Sequence, residues 1–334
     1  MRIALAGAGR IGAFHARTLA SLGGVDELLL ADVDADRAAR VAADLGVVAV
    51  PTVEGLLDPR VDALVVATST PGHAPLVRAA VAAGLPVFVE KPLAATLSET
   101  VELVRLVEGA DVPVHVGFQR RFDTGYRRAR AAVASGELGL VHTLRATTSD
   151  RRPPHPEYLP TSGGIFRDCS VHDADVVRFV TGREVLTVQA VGGTKGEPFF
   201  AAAGDVASAA ALLTLDDGTI AVLTTTRYSG QGHDVRLEVV GSEASVAVGL
   251  DDSLALRSLE DGVTFPAGPV HEAFMDRFEA AYRAELTAFL DVARGGAPSP
   301  CTVRDALEAS RVVEAASLAL AEGRTVHLSE IPTT

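Results

Sequence analysis

Along residues 1–118, short runs of consecutive apolar residues alternate with longer segments whose apolar residues recur at helical spacing. The apolar runs lie at residues 3–6, 28–31, 63–66, 87–89 and 114–116. The helical segments lie at residues 10–22, 35–45, 71–83 and 96–108. Strands that are apolar on both faces are typical of parallel sheets covered by helices on both sides. The pattern therefore predicts an α/β fold whose first domain, residues 1–120, holds a doubly wound parallel sheet.

The pattern changes after residue 121, where strand-like runs follow one another directly. A helix is expected at residues 125–135, a strand at 141–146 and a second helix at 164–180. The later strands are expected at residues 185–191, 207–215, 219–225, 235–240, 245–248 and 254–257. Two long helical segments, 273–294 and 303–322, close the chain. Strands in succession favour antiparallel or mixed pairing, so residues 121–334 are predicted to form an α+β domain with a large open sheet.

The composition narrows the possible partners. Of the 334 residues, 48% are hydrophobic and 22% are charged, which is typical of a globular protein with sizeable cores. The net charge of -13 argues against a nucleic-acid partner, because binding to phosphates depends on clustered cations. The arginine pairs at residues 120–121, 127–128 and 151–152 are each expected on solvated surface. No apolar run is long enough for a membrane span or a signal peptide, so we expect a cytoplasmic protein.

A glycine-rich turn directly follows the first predicted strand. Gly7, Gly9 and Gly12 form a G-x-G-x-x-G run, with Arg10 and Ile11 opening the next helix. Such glycines let the backbone approach a pyrophosphate at a helix N-terminus, although the pattern alone is weak. Asp32 ends the second strand 20 residues after Gly12, where a carboxylate can accept hydrogen bonds from the adenosine ribose. A carboxylate repels a 2′-phosphate, so NAD is favoured over NADP; the alternative for Asp32 is a surface turn residue.

One lysine stands out by its position. Lysine occurs only at residues 91 and 195, and Lys91 follows Glu90 at the end of the predicted strand 87–89. Ligands of open α/β sheets bind beyond the carboxyl ends of the strands, so we expect Lys91 to point towards the nicotinamide. The alternative is an ordinary surface lysine. Pro92, the next residue, is compatible with a rigid turn and a cis peptide bond.

A second group of polar residues follows Gly163-Gly164. In a helix, Asp168 and His172 would share one face, and a carboxylate one turn away can orient an imidazole as a general base. Equally compatible with the local sequence is a helix N-terminal carboxylate beside a core histidine. A metal site of Asp168, His172 and Asp175 lacks a further ligand cluster. A nucleophilic pair of Cys169 and His172 lacks an oxyanion-hole pattern.

Several of these motifs occur in the order seen in one enzyme family. The run at residues 7–12 with Asp32, the segments 67–73 and 117–123, Glu90-Lys91-Pro92 and the segment 163–175 together resemble the Gfo/Idh/MocA oxidoreductase family. The resemblance covers nearly the whole chain, and within the family it points to inositol 2-dehydrogenases. The Glu-Lys-Pro motif and the Asp-x-x-x-His motif after two glycines carry most of the specificity.

The resemblance implies an NAD-binding Rossmann domain and a second domain whose open sheet mediates dimers or tetramers. It implies oxidation of a secondary alcohol on a cyclic polyol such as myo-inositol, with Lys91, Asp168 and His172 as catalytic residues and no metal. The implied cofactor contacts are Gly7, Gly9, Arg10, Ile11, Gly12, Asp32, Thr68, Ser69, His73, Glu90 and Lys91. The implied substrate contacts are Lys91, Arg121, Tyr158, Arg167, Asp168, His172 and His233.

The chain departs from the family pattern at one substrate position. In the family a Gly-Tyr-Asp-x-Arg segment supplies a tyrosine to the polyol, whereas here residues 232–236 place His233 at that position. An imidazole is shorter than a phenol and can titrate, which leaves the exact substrate open. Two other functions remain as alternatives: a dehydrogenase or reductase of another sugar or sugar derivative, and a non-catalytic dinucleotide-binding regulator.

Overall fold

The chain divides into two compact units, each built around its own sheet. A computed structural model describes residues 1–265 and 268–333. Of the described residues, the first unit contains 1–119, 282–307 and 333, and the second contains 120–265, 268–281 and 308–332. The return of residues 282–307 to the first unit has no counterpart in the sequence-based division at residue 120. None of the described helices combines the length and the hydropathy that crossing a bilayer requires.

The first unit contains a six-stranded parallel sheet in the order β3-β2-β1-β4-β5-β6. Its strands are β1 (Arg2–Ala6), β2 (Glu27–Ala31), β3 (Val48–Ala49), β4 (Ala63–Val66), β5 (Val87–Glu90) and β6 (Val114–Gly117). The strand order reverses between β1 and β4, which is the position where open α/β sheets bind ligands. The predicted doubly wound parallel sheet is confirmed.

Four helices connect these strands: α1 (Arg10–Ala20), α2 (Ala35–Leu45), α3 (His73–Ala82) and α4 (Leu97–Glu108). Local capping sets two of their starts, because Asp34 accepts a hydrogen bond from the amide of Arg37 and Thr96 from the amide of Glu99. The predicted segment 71–83 is shorter as an α-helix than expected, since a 3₁₀ turn at Thr70–Gly72 precedes α3.

A late helix completes the core of the first unit. Helix α9 (Phe274–Ala293) is kinked at Phe278, and its residues from Tyr282 onwards belong to this unit. Leu286 and Phe289 are fully buried in one cluster with apolar residues of β1, β2 and β4. Fully burying side chains of this size stabilises a fold by about 1.5–3 kcal/mol each, which explains why the chain returns.

The second unit contains a seven-stranded mixed sheet in the order β12-β11-β7-β10-β9-β8-β13. Its strands are β7 (Val141–Ser149), β8 (Val185–Gly193), β9 (Ser208–Leu215), β10 (Ile220–Thr226), β11 (Asp234–Gly241), β12 (Ser245–Val248) and β13 (Val326–His327). Strands β7 and β10 pair in parallel, and the other neighbours pair antiparallel. The predicted mixed sheet is confirmed.

The strand predicted at residues 254–257 is wrong, because the structure has a loop there. Leu254 and Ala255 are both buried, whereas Leu256 is half exposed. Burial of two consecutive side chains differs from the alternation of a half-buried strand. The apolar residues at 254 and 255 are buried although they lie in a loop. The strand was predicted from their apolar composition, which does not distinguish a buried loop from a strand.

The helices of the second unit are α5 (Thr124–Ala134), α6 (Leu159–Ser162), α7 (Val171–Thr181), α8 (Phe199–Ala202) and α10 (Val303–Glu322), whose first residues belong to the first unit. A π-helical turn, Phe166–Ser170, leads directly into α7. The helix predicted at residues 164–180 is therefore confirmed, since residues 164–181 are helical without a break, but residues 166–170 within it form a wider turn. Such π turns are frequent at functional sites.

One face of the mixed sheet is buried and the other is open. Side chains of β9 and β10 alternate strictly between buried and more exposed positions. Leu186, Val191, Leu212 and Ile220 are between 42% and 69% exposed on their strands. A cavity of about 510 Å³ lies on β8 and β9, with Val191 and Leu212 in its lining. We call the side of the sheet that carries these four residues the open face.

Candidate active site

The glycine-rich turn of the first unit requires glycine at two positions. Gly7 has a φ of +106°, and a Cβ there would lie 2.4 Å from the carbonyl oxygen of Ala67. A Cβ at Gly12 would lie 2.1 Å from the carbonyl oxygen of Gly7, so α1 packs directly on the turn. Gly9 differs, because a Cβ there would meet no atom within 4 Å. The space beside Gly9 is thus open for a ligand.

The start of α1 suits an anion. Gly9 is the N-cap and provides no side-chain hydrogen bond, and the first turn of α1, which Arg10 and Ile11 open, carries no acidic residue. The first amides of the helix can therefore donate to a bound group, and the helix dipole favours a negative charge there. The turn fits the pyrophosphate of a dinucleotide.

Asp32 is buried at the end of β2 and is no surface turn residue. Its side chain is 7% exposed, Oδ2 accepts a hydrogen bond from the amide of Ala8 at 2.6 Å, and Oδ1 accepts one from Asp34 at 2.9 Å. The carboxylate thus ties the glycine-rich turn to the neighbouring strand end. Arg37 lies 3.7 Å from Asp32 and 3.1 Å from Asp34, so its cation is shared between two carboxylates.

His73 connects two loops at the carboxyl ends of the strands. Its Nδ1 lies 2.7 Å from the carbonyl oxygen of Pro92, and its Nε2 lies 3.2 Å from that of Thr68. Burial lowers the pKa of His73, although the two carbonyl contacts act in the opposite direction. The cofactor contacts predicted for Thr68, Ser69 and His73 remain predictions, while the structure gives His73 a role in holding the loops.

Lys91 directly follows β5, and a buried pair holds the turn in which it lies. Glu90, the last residue of β5, contacts the imidazole Nε2 of His15 through Oε1 at 2.7 Å, and its Oε2 accepts the amide of Lys91 at 3.2 Å. His15 is fully buried and Glu90 is 7% exposed. The Lys91–Pro92 bond is cis. Sequence reasoning missed His15, although a lone histidine inside the first helix was a visible signal.

In the second unit, Asp168 lies in the π turn and His172 in the first turn of α7. Oδ1 of Asp168 accepts a hydrogen bond from the Tyr158 hydroxyl at 2.9 Å, and Oδ2 forms an ion pair with Arg227 at 2.8 Å. Both carboxylate oxygens therefore have side-chain partners. His172 is 9% exposed. Burial raises the pKa of Tyr158, and Asp168 raises it further, so the phenol remains a donor to the carboxylate.

Three polar residues, of which Arg227 contacts Asp168 directly, were missed or only partly foreseen by sequence reasoning. Arg227 also contacts Asp150 at 3.2 Å, and Asp150 lies 3.6 Å from Nδ1 of His233. Arg227 and His233 are 3% and 6% exposed at the side chain. Only the sheet topology could have revealed them. Asp150 follows β7, Arg227 follows β10 and His233 precedes β11, so the pairing of these strands brings all three to the same end of the sheet.

Two predicted surface arginines are buried. Arg120 and Arg121 are 3% and 7% exposed, so the expectation of a solvated pair is wrong. Arg120 pairs with Asp173 at 2.6 Å, and Arg121 pairs with Asp175 at 2.6 Å. Five N–H donors in a rigid fork let arginine satisfy a buried carboxylate fully. The predicted substrate contact of Arg121 remains a prediction.

Two further candidates have clear surroundings. Arg167 forms an ion pair with Glu314 on α10, and its substrate contact also remains a prediction. Asp175, considered above for a metal, is bound by Arg121. Over residues 1–265 and 268–333, no group of three or more His, Cys, Asp or Glu side chains has the arrangement of a metal site.

A doubly wound sheet with an open glycine turn and a buried aspartate after β2 defines a dinucleotide-dependent oxidoreductase. Residues 1–118 match the model of the oxidoreductase family with an NAD-binding Rossmann fold, and residues 126–247 match that of the GFO/IDH/MocA C-terminal domain. The chain belongs to the Gfo/Idh/MocA oxidoreductase family, and its cofactor is NAD.

Several relatives align along nearly their full length. A myo-inositol dehydrogenase of Streptomyces leeuwenhoekii is 38% identical over 97% of this chain and 98% of its own length. The myo-inositol 2-dehydrogenase of Thermotoga maritima is 34% identical over 99% of both chains. A crystal structure of scyllo-inositol dehydrogenase from Lactobacillus casei with bound NAD(H) and scyllo-inositol has a TM-score of 0.89 and 26% identity, covering 98% of this chain and 99% of that chain.

Proposed function

We propose that this enzyme oxidises a secondary hydroxyl of a cyclic polyol, myo-inositol or a related inositol, to the ketone with NAD. One observation carries the proposal: a chain with an intact NAD turn and the Asp168–His172 helix is similar over its whole length to several inositol dehydrogenases. The similarity extends over both units, so it spans the segments that carry the polar cluster around Asp168 as well as the nucleotide domain.

The proposed roles follow from the chemistry of each side chain. The glycine-rich turn at residues 7–12 and Asp32 would hold NAD, which would supply the hydride acceptor for the oxidation. His172 in its neutral form removes the hydroxyl proton, since an imidazole titrates near working pH. Asp168 orients that imidazole and stabilises the positive charge it acquires. Lys91 donates a hydrogen bond to the same oxygen and stabilises the negative charge that develops there.

The remaining substrate contacts belong to the same proposal. Tyr158, Arg121, Arg167 and His233 are proposed to contact hydroxyl groups of the polyol. His233 replaces a tyrosine of the family, and an imidazole can donate or accept according to its protonation state. The related inositols differ in hydroxyl stereochemistry, so the substitution bears on which isomer is preferred.

We also propose that the chain forms a homo-oligomer, a dimer or tetramer, through the open face of the second unit. Leu186, Val191, Leu212 and Ile220 present apolar side chains there, and a second copy of the same sheet would cover them. Light scattering with size-exclusion chromatography tests this. A monomer at micromolar concentration contradicts it, and so does an oligomer that persists after Val191→Lys and Leu212→Lys.

Turnover with defined substrates tests the function directly. The purified chain is incubated with NAD or NADP and a panel of inositols, monosaccharides and amino sugars, and NADH formation is followed by absorbance. An inositol should give the highest kcat/KM. A higher value with another sugar supports the alternative substrate class. Tight NADH binding without turnover of any compound supports the regulator instead.

Two variants test the assigned roles. Lys91→Ala and His172→Ala should each lower kcat by roughly 10²–10⁴-fold, the usual contribution of a positioned acid or base. Lys195→Ala is a matched control, because Lys195 is the other lysine of the chain and lies in an exposed loop between β8 and α8. Wild-type turnover in both active-site variants contradicts the assignment.

A further inference from the structure

The guanidinium of Arg227 contacts two carboxylates and one thiol in the interior of the second unit. Nη2 lies 2.8 Å from Oδ2 of Asp168, and Nη1 lies 3.2 Å from Oδ2 of Asp150. Nη1 also donates to Sγ of Cys169 at 2.9 Å. The Arg227 side chain is only 3% exposed, so these contacts form largely out of water. One cation thus lies between two carboxylates, one of them the proposed partner of His172.

The sheet fixes this arrangement through its register. Thr226, the last residue of β10, is opposite Ser149, the last residue of β7, and Ser149 is also opposite Asp234 at the start of β11. Arg227, Asp150 and His233 are the residues next to these three positions. The amide of Asp150 also donates to the carbonyl oxygen of Thr226 at 2.9 Å. Main-chain pairing therefore positions Arg227 against Asp150 before any substrate binds.

The charges in the cluster depend on one another. Burial alone would lower the pKa of Arg227, but Cys169, Asp168 and Asp150 raise it well above its usual value. Burial raises the pKa of Asp150, and His233 and Arg227 outweigh that effect and lower it overall. Without the guanidinium, the two carboxylates would share a weakly solvated site with no permanent positive charge between them, and the pKa of Asp150 would lose one of the interactions that lower it.

Asp168 receives its partners from several elements. Tyr158 donates from the residue before α6, and Arg227 comes from the end of β10. Asp150, the second carboxylate, follows the last residue of β7. Its partner His233 precedes the first residue of β11. Cys169 lies in the same π turn as Asp168, and His172 lies in the first turn of α7, which follows directly. Among these groups Arg227 carries the permanent positive charge.

We propose that Arg227 is a positioning residue that compensates the charge of the Asp168 carboxylate and orients it for the reaction assigned above to His172. Asp150 holds the other side of the guanidinium and thereby links Arg227 to His233. The proposal rests on the proposed function, since it acts through the Asp168–His172 pair. It adds two residues, Arg227 and Asp150, to those on which turnover depends.

The pH dependence of turnover tests the proposal in Arg227→Gln and Arg227→Lys. In Arg227→Gln, kcat/KM at neutral pH should fall by roughly 10–100-fold, and the acid limb of the profile should move to higher pH by about one unit or more. Arg227→Lys should show a smaller shift in the same direction, because a compact ammonium cannot bridge both carboxylates. An acid limb at the wild-type position in both variants overturns the proposal.

Arg120→Gln is the matched control for a structural effect. Arg120 is as buried as Arg227 and pairs with Asp173 and Thr148, so its loss should lower the unfolding midpoint without moving the acid limb. NADH binding, a property of the first unit, should be unchanged in all variants and reports on folding. An equal acid-limb shift in Arg120→Gln contradicts the specific role of Arg227.

Two further outcomes separate this proposal from the proposed function. If Arg227→Gln does not fold, the double variant Arg227→Gln/Asp150→Asn removes one of the two carboxylates that would otherwise repel each other. Its acid limb should lie at least as far from the wild-type position as that of Arg227→Lys, because no permanent cation then contacts Asp168. An acid limb at the wild-type position overturns the proposal. If the wild type oxidises another sugar rather than an inositol, the proposed substrate is wrong, and the Arg227 profiles are measured with that sugar.

Discussion

The hydrogen bond between His15 and Glu90 gives the sharpest test of how the lysine turn is held. The two side chains meet at 2.7 Å with 0% and 9% of their side-chain surface exposed. His15→Leu keeps an apolar volume among Phe14, Phe88 and Tyr282, the rings that surround the imidazole. It removes the polar partner of a buried carboxylate, and breaking a buried pair from one side costs about 3–5 kcal/mol.

The structure offers a control pair of equal length. Arg78 and Glu102 also meet at 2.7 Å, but their side chains are 41% and 55% exposed. An exposed pair contributes about 0.2–1 kcal/mol, because water screens both charges. Arg78→Gln should therefore change the free energy of unfolding by less than about 1 kcal/mol, at least threefold less than His15→Leu. Burial rather than distance sets the difference.

The assay is urea unfolding followed by circular dichroism and by NADH binding, which reports on the first unit. His15→Gln should recover part of the loss, since its amide can donate to Glu90. The double variant His15→Leu/Glu90→Gln should also be more stable than His15→Leu alone, because no buried charge remains. Equal effects of His15→Leu and Arg78→Gln would refute the reasoning.

Three further predictions concern the first unit. Gly12→Ala should abolish NADH binding and lower the unfolding midpoint, because its Cβ would lie 2.1 Å from a backbone oxygen. Gly9→Ala should leave the unfolding midpoint unchanged but weaken NADH binding, because its Cβ would enter the space open to the ligand. Fluorescence titration measures NADH binding in both variants. Asp32→Ser should lower the ratio of kcat/KM for NAD to that for NADP by at least about tenfold, since hydrogen bonds to a charged group contribute about 1.5–3 kcal/mol; an unchanged ratio contradicts the assigned role. Burial lowers the folded-state pKa of His73 below its unfolded value, so the protein should lose unfolding free energy as the pH falls below about 6.5, where the unfolded chain binds the proton more readily. In His73→Gln this loss, measured between about pH 7.5 and 5.5, should be smaller than in the wild type.

Periodicity was sufficient for the first unit. Every strand of at least four residues in its sheet was predicted within one residue, because a strand covered on both faces is a continuous apolar run with no ambiguity of face. Strand β3, two exposed residues at Val48–Ala49, left no such signal. The glycines and Asp32 were also foreseen, since a turn against a helix N-terminus imposes its residue types locally.

The second unit was less predictable because its site depends on pairing between distant strands. Asp150 and Arg227 are adjacent through the parallel pairing of β7 and β10, which are separated by 70 residues of chain. A pattern within either strand cannot reveal that neighbour. The buried Arg120 and Arg121 show the same limit, since each is charged in sequence and finds its carboxylate on α7 only after folding.

The two supporting pairs follow one principle in both units. In each unit, a buried side chain from another element holds a carboxylate that lies beside or within the group of residues proposed to act on the substrate. In the first unit His15 holds Glu90, the residue before Lys91, and in the second unit Arg227 holds Asp168. Each supporting residue is too deeply buried to be judged functional by exposure, and too polar to be explained by packing. Burying a charged group costs free energy unless a partner compensates it, and we infer that both pairs serve to fix the position of a site residue. Substitutions at His15 and Arg227 should therefore impair turnover more than their loss of stability alone predicts, in contrast to substitutions at Arg120.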